Sequence, residues 1–316
     1  MRRCYIQWLL WPVLCLTVIF VYIQSTKQHQ PTGSTKSSVT EKSSNNIISK
    51  FNQKFPRIFI IGFGKAGTRV LYETLLLHNN VVGPRQEMRF FDEHYNNGFS
   101  WYLHKLPLPK PNQQVAEKSP SYILHPEVLG RLITDSKLVG VGLDELKFVV
   151  IFRHPIVRAI SEYVEWQMLR TQMHQKLLPT FGKVALDSKG KVTHFKPVNH
   201  SIYVHYVKQW LKVFSREQFC FVDGDQFAEH PYEVFSQLEK CLGLPPQILQ
   251  QNFHWMKDRN LFCLSRNNII KCPSLTKGRP HPFVKENVVD ALMDYYKPFN
   301  EQLYALTDAV VNKTII

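Results

Sequence analysis

The sequence predicts an α/β fold: a central parallel sheet flanked by helices, with a phosphate-binding strand–loop–helix near its start. Three observations predict it. The run Ile58-Phe59-Ile60-Ile61 is β-branched and aromatic throughout, the composition of a strand buried on both faces. It enters the turn Gly62-Phe63-Gly64-Lys65-Ala66-Gly67-Thr68-Arg69, after which Val70, Leu71, Thr74, Leu75 and His78 recur at helical spacing. A second buried-looking run, Lys147-Phe148-Val149-Val150-Ile151-Phe152, ends in Arg153 and meets Pro155, a residue suited to the first turn of a helix.

The chain opens with Arg2 and Arg3 ahead of an apolar stretch, Cys4 to Ile23, interrupted only by Gln7. About 20 apolar residues span a bilayer, and no small-residue cleavage site follows, so residues 1–23 are expected to form an uncleaved membrane anchor with a short cytoplasmic tail. Residues 24–54 are rich in Ser, Thr, Gln, Asn and Lys and cannot bury a core; a flexible stem is expected there. Residues 55–316 carry aromatics and aliphatics throughout, without a repeat or a second polar linker, and form one domain. The sequons Asn199-His200-Ser201 and Asn312-Lys313-Thr314 make Asn199 and Asn312 candidate glycosylation sites and favour a lumenal body.

The first loop combines glycines, which let backbone approach a ligand, with the unpaired leading amides of a helix and with the charges of Lys65 and Arg69. That is a cradle for phosphate or sulfate. Its glycines and lysine stand in the wrong order for the loop of nucleoside triphosphatases, and no Asp-rich magnesium site accompanies it. A formal charge of +14 points to a polyanionic partner. Nucleic acid is set aside because no nucleic-acid-binding signature is present and a lumenal body does not meet it; an acidic polysaccharide suits the compartment.

Further clusters follow. In Arg85-Gln86-Glu87-Met88-Arg89-Phe90-Phe91-Asp92, an extended segment would bring Glu87 and Arg89 to one face, a carboxylate among cations that can act as a base. Arg153 and, two turns along the next helix, Ser161 can hold a second phosphate, while Arg158 reads as a surface or ion-pair residue. Lys277-Gly278-Arg279-Pro280-His281 forms a basic turn able to close over an anion. Cys263 and Cys272 bracket a polar loop in an oxidising compartment, and a local disulfide worth about 2.5 to 3 kcal/mol is expected. Cys220 falls in an apolar run and Cys241 at the end of a helix-like segment, with no pairing assigned. No zinc-type ligand spacing appears, so no structural metal is expected.

Taken together and in this order, from about Pro56 to Leu306, these clusters resemble the sulfotransferases, and most of all the heparan sulfate glucosamine 3-O-sulfotransferases. The resemblance implies that Lys65, Ala66, Gly67, Thr68 and Arg69 bind the 5′-phosphosulfate of 3′-phosphoadenylyl sulfate (PAPS), with Arg153 and Ser161 on its 3′-phosphate. It implies that Lys277, Gly278, Arg279, Pro280 and His281 form the C-terminal cofactor loop. Glu87 is then the catalytic base, assisted by Lys65 and Lys118. Met88, Arg89, Phe90, Phe91, Asp92, Lys118, Ser119, Pro120, Ser121 and Glu165 join Glu87 as acceptor contacts, from Glu-x-x-Phe-Phe-Asp and Glu117-Lys118-Ser119-Pro120-Ser121-Tyr122. It also implies a heparan sulfate partner and a single-pass type II protein of the Golgi membrane.

The chain departs from the family pattern at Ala66, at Arg89 (in place of His), at His154 (in place of Asp) and at Glu165 (in place of Gln). A permanently charged Arg89 beside Glu87 would grip an acceptor sulfate or uronate and weaken the base. The segment from Met173 to Pro197 also matches poorly and would reshape one wall of the cleft. Sulfation at another position or on another polymer, and heparan binding without catalysis, remain the alternatives.

Overall fold

Apolar strands that alternate with helical segments leave each strand covered on both faces, and the parallel sheet follows from that. The computed structural model describes residues 51–267, 269–272 and 281–307. The expected anchor, all of the expected stem up to residue 50, Lys277 to Pro280 and Asn312 lie outside the described residues. Residues 51–54 are helical, and Asn52 donates to the carbonyls of Val139 and Gly140 at 2.9 and 3.0 Å.

Five strands form the main sheet: β1 (Ile58–Gly62), β2 (Val81–Val82), β3 (Gln114–Lys118), β4 (Lys147–Phe152) and β5 (Phe219–Asp223), in the order β2-β3-β1-β4-β5. Every pairing is parallel. The central strands are almost wholly buried, β1 at all of its positions and β4 at all but Lys147. Helices cover the sheet in chain order: α1 (Thr68–Leu75), α2 (Phe99–Lys105), α3 (Glu127–Leu138), α4 (Pro155–Gln172), α5 (Phe181–Ala185), α6 (Lys196–Asn199), α7 (Tyr203–Leu211), α8 (Gly224–Glu229), α9 (Pro231–Cys241) and α10 (Glu286–Leu306).

The chain leaves β1 toward β2 on one side and leaves β4 toward β5 on the other. Neighbouring strands whose exits diverge open a crevice at their carboxyl ends, where α/β sheets bind ligands. Beneath that edge Phe55, Phe59, Phe91 and Phe148 pack ring to ring, and Phe63, Phe152 and Tyr203 form a second aromatic group under the β1–β4 exit.

A smaller antiparallel sheet, β6 (Phe253–Met256), β7 (Leu261–Arg266) and β8 (Ile269–Lys271), follows α9. Cys263 and Cys272 are bonded there, as the polar loop between them leads one to expect. A second disulfide joins Cys220 in β5 to Cys241 at the end of α9, a pairing that the separate settings of the two residues in the sequence did not disclose. Helix α9 returns antiparallel over β5 and brings the two sulfurs together.

Candidate active site

The loop after β1 wraps the carboxyl edge of the sheet. Phe63 N–H donates to the Ile151 carbonyl at 2.9 Å, and Ala66 N–H turns back to the Phe63 carbonyl at 3.2 Å. Gly67, at φ 105°, precedes α1 in a left-handed conformation in which a side chain would be strained. Helix α1 begins without a side-chain cap and without an acidic residue in its first turn, so its leading N–H groups and the positive end of its dipole are left for an anion. Lys65 Nζ lies 2.9 Å from Glu165 Oε1 of α4, and Arg69 pairs with Glu73 at 3.0 Å.

Arg158 supports this loop from behind. It is 2% exposed, not a surface residue as one of its two sequence readings had it, because its Nε donates to the Gly64 carbonyl at 3.1 Å while Nη1 pairs with Glu162. Burial pushes the Glu162 carboxyl up, yet the hydrogen bond from His200 and the charge of Arg158 outweigh it and hold the group below its usual value. The Asn199 sequon sits in this support: Ser201 is buried and donates to the Pro197 carbonyl at 3.0 Å, and Asn199 donates to the His194 carbonyl at 3.3 Å.

At the end of β4, Arg153 Nε lies 3.3 Å from Asp225 Oδ1, and Asp225 Oδ2 accepts the N–H of His154 at 2.8 Å. Asp223 caps α8, accepting from the amides of Asp225 and Gln226 at 2.9 and 3.0 Å, and thereby aims Asp225 back at β4. Gly224 is required by contact: a Cβ there would lie 2.5 Å from the carbonyl oxygens of both Ala66 and Phe152. Thus a carboxylate from the β5–α8 turn stands beside Arg153 even though His154 occupies the position after it. Burial lowers the His154 imidazole, with Asp225 opposing and Arg153 assisting. His281 is also lowered, first by burial and then by the positive charges of Arg153 and Lys65. Ser161 is half-buried on α4, about a turn beyond Arg158.

The end of β3 supplies the third wall. Lys118 Nζ is paired with Glu87 Oε1; the lysine side chain is 7% exposed and the glutamate 40%, so the pair has one buried and one accessible partner. The predicted alternation of Glu87 and Arg89 on one strand face is corrected. Arg89 adopts φ 45° and the chain turns at once into a π-helical turn, Phe90–His94. Its guanidinium meets Asp92 at 2.9 Å and Glu93 at 2.6 Å, so two carboxylates other than Glu87 engage it. Asp92 also accepts from Ser121 Oγ at 2.5 Å.

Several expected acceptor contacts are corrected in the same way. Phe90 and Phe91 are 0% exposed, Ser119 1% and Met88 7%, and Pro120 is buried as well. Their side chains support the site from beneath, because the aromatic pair fills the core between α2 and α3 and the Ser119 hydroxyl is engaged by the Arg89 amide and the Glu117 carboxylate. Glu87, Arg89, Ser121 and Glu165 keep partly accessible side chains, whereas the Asp92 side chain is 0% exposed beneath Arg89 and Ser121, a further correction to the expected acceptor contacts. Sequence reasoning assigned no role to Glu117, Gly224 or Asp225. The Asp223-Gly224-Asp225 triplet directly after an apolar run was the available signal for the latter two. Among the described residues no cluster of three or more His, Cys, Asp or Glu is arranged to hold a metal ion.

An anion-binding loop, a cationic strand end and a carboxylate–ammonium pair at adjoining exits of one parallel sheet define a group-transfer site for an anionic donor. Residues 55–302 match the family model of the sulfotransferase domain, and that is the class of the protein. Human heparan sulfate glucosamine 3-O-sulfotransferase 5 is 38% identical over 266 residues, covering 82% of this chain and 74% of the relative. Mouse heparan sulfate glucosamine 3-O-sulfotransferase 6 is 32% identical over 260 residues, covering 81% and 72%. The chain belongs to the heparan sulfate glucosamine 3-O-sulfotransferase family. Among solved structures, a sulfotransferase from Alicyclobacillus acidocaldarius superposes with a TM-score of 0.56 at 20% identity, covering 80% of this chain and 96% of that one; the likeness speaks for the fold.

Proposed function

We propose that this chain transfers a sulfuryl group from PAPS to the 3-hydroxyl of glucosamine units in heparan sulfate. The observation that carries the reading is the Glu87–Lys118 pair standing at the strand exit beside the anion loop, in a chain 38% identical to a relative named for that activity. The residues present fit such a donor: an uncapped helix start, a Gly64 position open to space, and Lys65, Arg69 and Arg153 around it. PAPS supplies the activated sulfuryl group when bound.

Lys65, Ala66, Gly67, Thr68 and Arg69 hold the 5′ end of the donor by backbone amides and charge, and Arg153 with Ser161 holds its 3′-phosphate. Lys65 exchanges Glu165 for the donor anion as it binds. Lys277, Gly278, Arg279, Pro280 and His281 are assigned to the donor as the C-terminal binding segment that the family resemblance implies. Glu87 takes the proton of the acceptor hydroxyl, while Lys118 fixes the Glu87 carboxylate and brings positive charge to the transferring group. Arg89, Ser121 and Glu165 face the acceptor, and the buried Asp92 carboxylate orients Arg89 and Ser121. We read the enzyme as a single-pass type II protein of the Golgi membrane, anchored by residues 1–23, glycosylated at Asn199 and Asn312, and carried on a stem that begins at residue 24 and ends before residue 51, since residues 51–54, expected in the stem, are helical and bonded to the domain. The apolar run from Cys4 to Ile23 and the two sequons support this.

The test is Glu87→Gln in the full-length chain. Transfer of labelled sulfate from PAPS to heparan sulfate should fall by about 10²- to 10⁴-fold, the usual worth of a general base, while calorimetric affinity for adenosine 3′,5′-bisphosphate stays unchanged. Undiminished transfer removes Glu87 from the role.

A further inference from the structure

Three hydroxyl groups meet one carboxylate beneath the reaction centre. Glu117, 0% exposed near the end of β3, accepts hydrogen bonds from Tyr102, from Ser119 at 2.7 Å and from Tyr122 at 2.8 Å. An ionised carboxylate only accepts, so all three hydroxyls turn their hydrogens toward it. Each hydroxyl thus committed keeps its lone pairs. The Ser119 oxygen accepts the backbone N–H of Arg89 at 2.9 Å, and the Tyr122 oxygen accepts those of Phe90 and Phe91 at 2.9 and 3.3 Å.

These amides belong to the turn that follows Glu87, where Arg89 takes a left-handed conformation unusual for a side-chain-bearing residue. Such a conformation persists only where its surroundings over-determine it. The next residue of the strand, Lys118, pairs with Glu87 itself. One strand end therefore grips the segment twice, through the Glu87 carboxylate and through three consecutive backbone amides.

We propose that Glu117 is the positioning residue of this reaction centre: by fixing the Ser119 and Tyr122 hydroxyls as donors it frees their oxygens to hold the Arg89–Phe91 backbone, and so places Glu87. The inference rests on the reading of Glu87 as the base. The arrangement also responds to pH. Burial, first of all, raises Glu117 to about 7, against the hydrogen bonds from Tyr102, Ser119 and Tyr122; Asp92 adds to the rise, and Tyr72 of α1 also feels the charge. Tyr102 holds Oε2 while Ser119 and Tyr122 share Oε1; a proton on Oε1 makes Glu117 a donor there and turns one of those two hydroxyls away, which loosens its hold on the turn.

The experiment follows kcat for sulfate transfer to a heparan oligosaccharide against pH in the full-length chain, with affinity for adenosine 3′,5′-bisphosphate and the melting curve measured alongside. In Glu117→Gln an amide meets hydroxyl hydrogens, and kcat should drop on the order of 10²-fold, as for a misplaced catalytic group, with nucleotide affinity unmoved. Wild-type kcat should fall through a one-proton limb around pH 7 that Glu117→Gln lacks. Tyr102→Phe removes a hydrogen bond that lowers the Glu117 pKa, so its limb should move to higher pH; a merely structural role for Glu117 would not move it. If Glu117→Gln does not fold, Tyr102→Phe and Tyr122→Phe carry the test, both with raised limbs and the latter with reduced kcat. Wild-type kcat in Glu117→Gln, or an unmoved limb in Tyr102→Phe, overturns the inference. Full transfer by Glu87→Gln overturns the reading beneath it instead, so the two failures are distinguishable.

Discussion

Asp135 and Glu117 are buried carboxyls that burial raises to about 7, from 3.8 and 4.5. Each is bound by protons more readily folded than unfolded, so the stability it contributes is full below its unfolded pKa and is lost as pH rises toward 7. Ionised Glu117 is the form that organises the Glu87 turn, so that carboxylate favours folding and catalysis at opposite ends of one pH window. Other groups move differently: depressed Glu162 favours folding above its unfolded pKa, and depressed His154 gains as pH rises to about 6.5. A difference measurement isolates one carboxyl. Subtracting the unfolding free energy of Asp135→Asn from that of the wild type should give a value that declines between about pH 4 and 7 and is flat above, an effect on the order of a few kcal/mol across the window. A flat difference throughout would show that Asp135 does not titrate as its burial dictates. At this scale the sequence exposes residues whose charge stands at the end of an apolar run, such as Lys65 and Arg153. It hides Arg89, whose direction is decided by hydroxyls some thirty positions later, at Ser119 and Tyr122.

Among elements, β1, β4 and β5 are legible because strands buried on both faces are apolar without interruption. β2 has only Val81 and Val82, and β3 runs Gln-Val-Ala-Glu-Lys, so neither carries the pattern that would reveal the order of the sheet. The π-helical turn at Phe90–His94 has no sequence period of its own either; tertiary hydrogen bonds impose it. The β5–α9 disulfide belongs here, since it links a core strand to the helix packed on it across 21 positions. Asp223, which caps α8 and aims Asp225 at Arg153, ends the same strand. Cys220→Ser with Cys241→Ser should therefore lower unfolding free energy by about 3 kcal/mol, the chain-entropy value for a loop of this size. Nucleotide affinity should weaken as well, because Asp225 and Gly224 lose a fixed support. Denaturant unfolding and calorimetry on the same preparation check both, and a stability loss with unaltered affinity would uncouple the staple from the donor site.

For the whole molecule, the α/β class is legible from the strand–loop–helix pattern, and composition points to a polyanionic partner, since 39 basic residues stand against 25 acidic ones. Where that charge acts is a matter of fold. Lys65, Arg153 and His281 gather at the β1–β4 crevice from three distant stretches of chain, while Lys118 and Arg89 face the adjoining exit of β3. A polyanionic acceptor laid along these exits displaces condensed counterions from itself for each cation it meets, and affinity then falls linearly in the logarithms of binding constant and salt. If an oligosaccharide engages about five cations, its affinity should drop roughly 10²- to 10³-fold between about 50 and 200 mM salt. Adenosine 3′,5′-bisphosphate, a compact ligand whose two phosphate monoesters carry about three to four negative charges, is held by directed hydrogen bonds in a partly buried loop and should lose less, because buried contacts are screened less than exposed ones. Titrating both ligands over the same salt series separates two uses of one positive charge. Equal slopes would mean that the acceptor touches no more cations than the nucleotide does, and that the surplus charge serves something other than the polysaccharide.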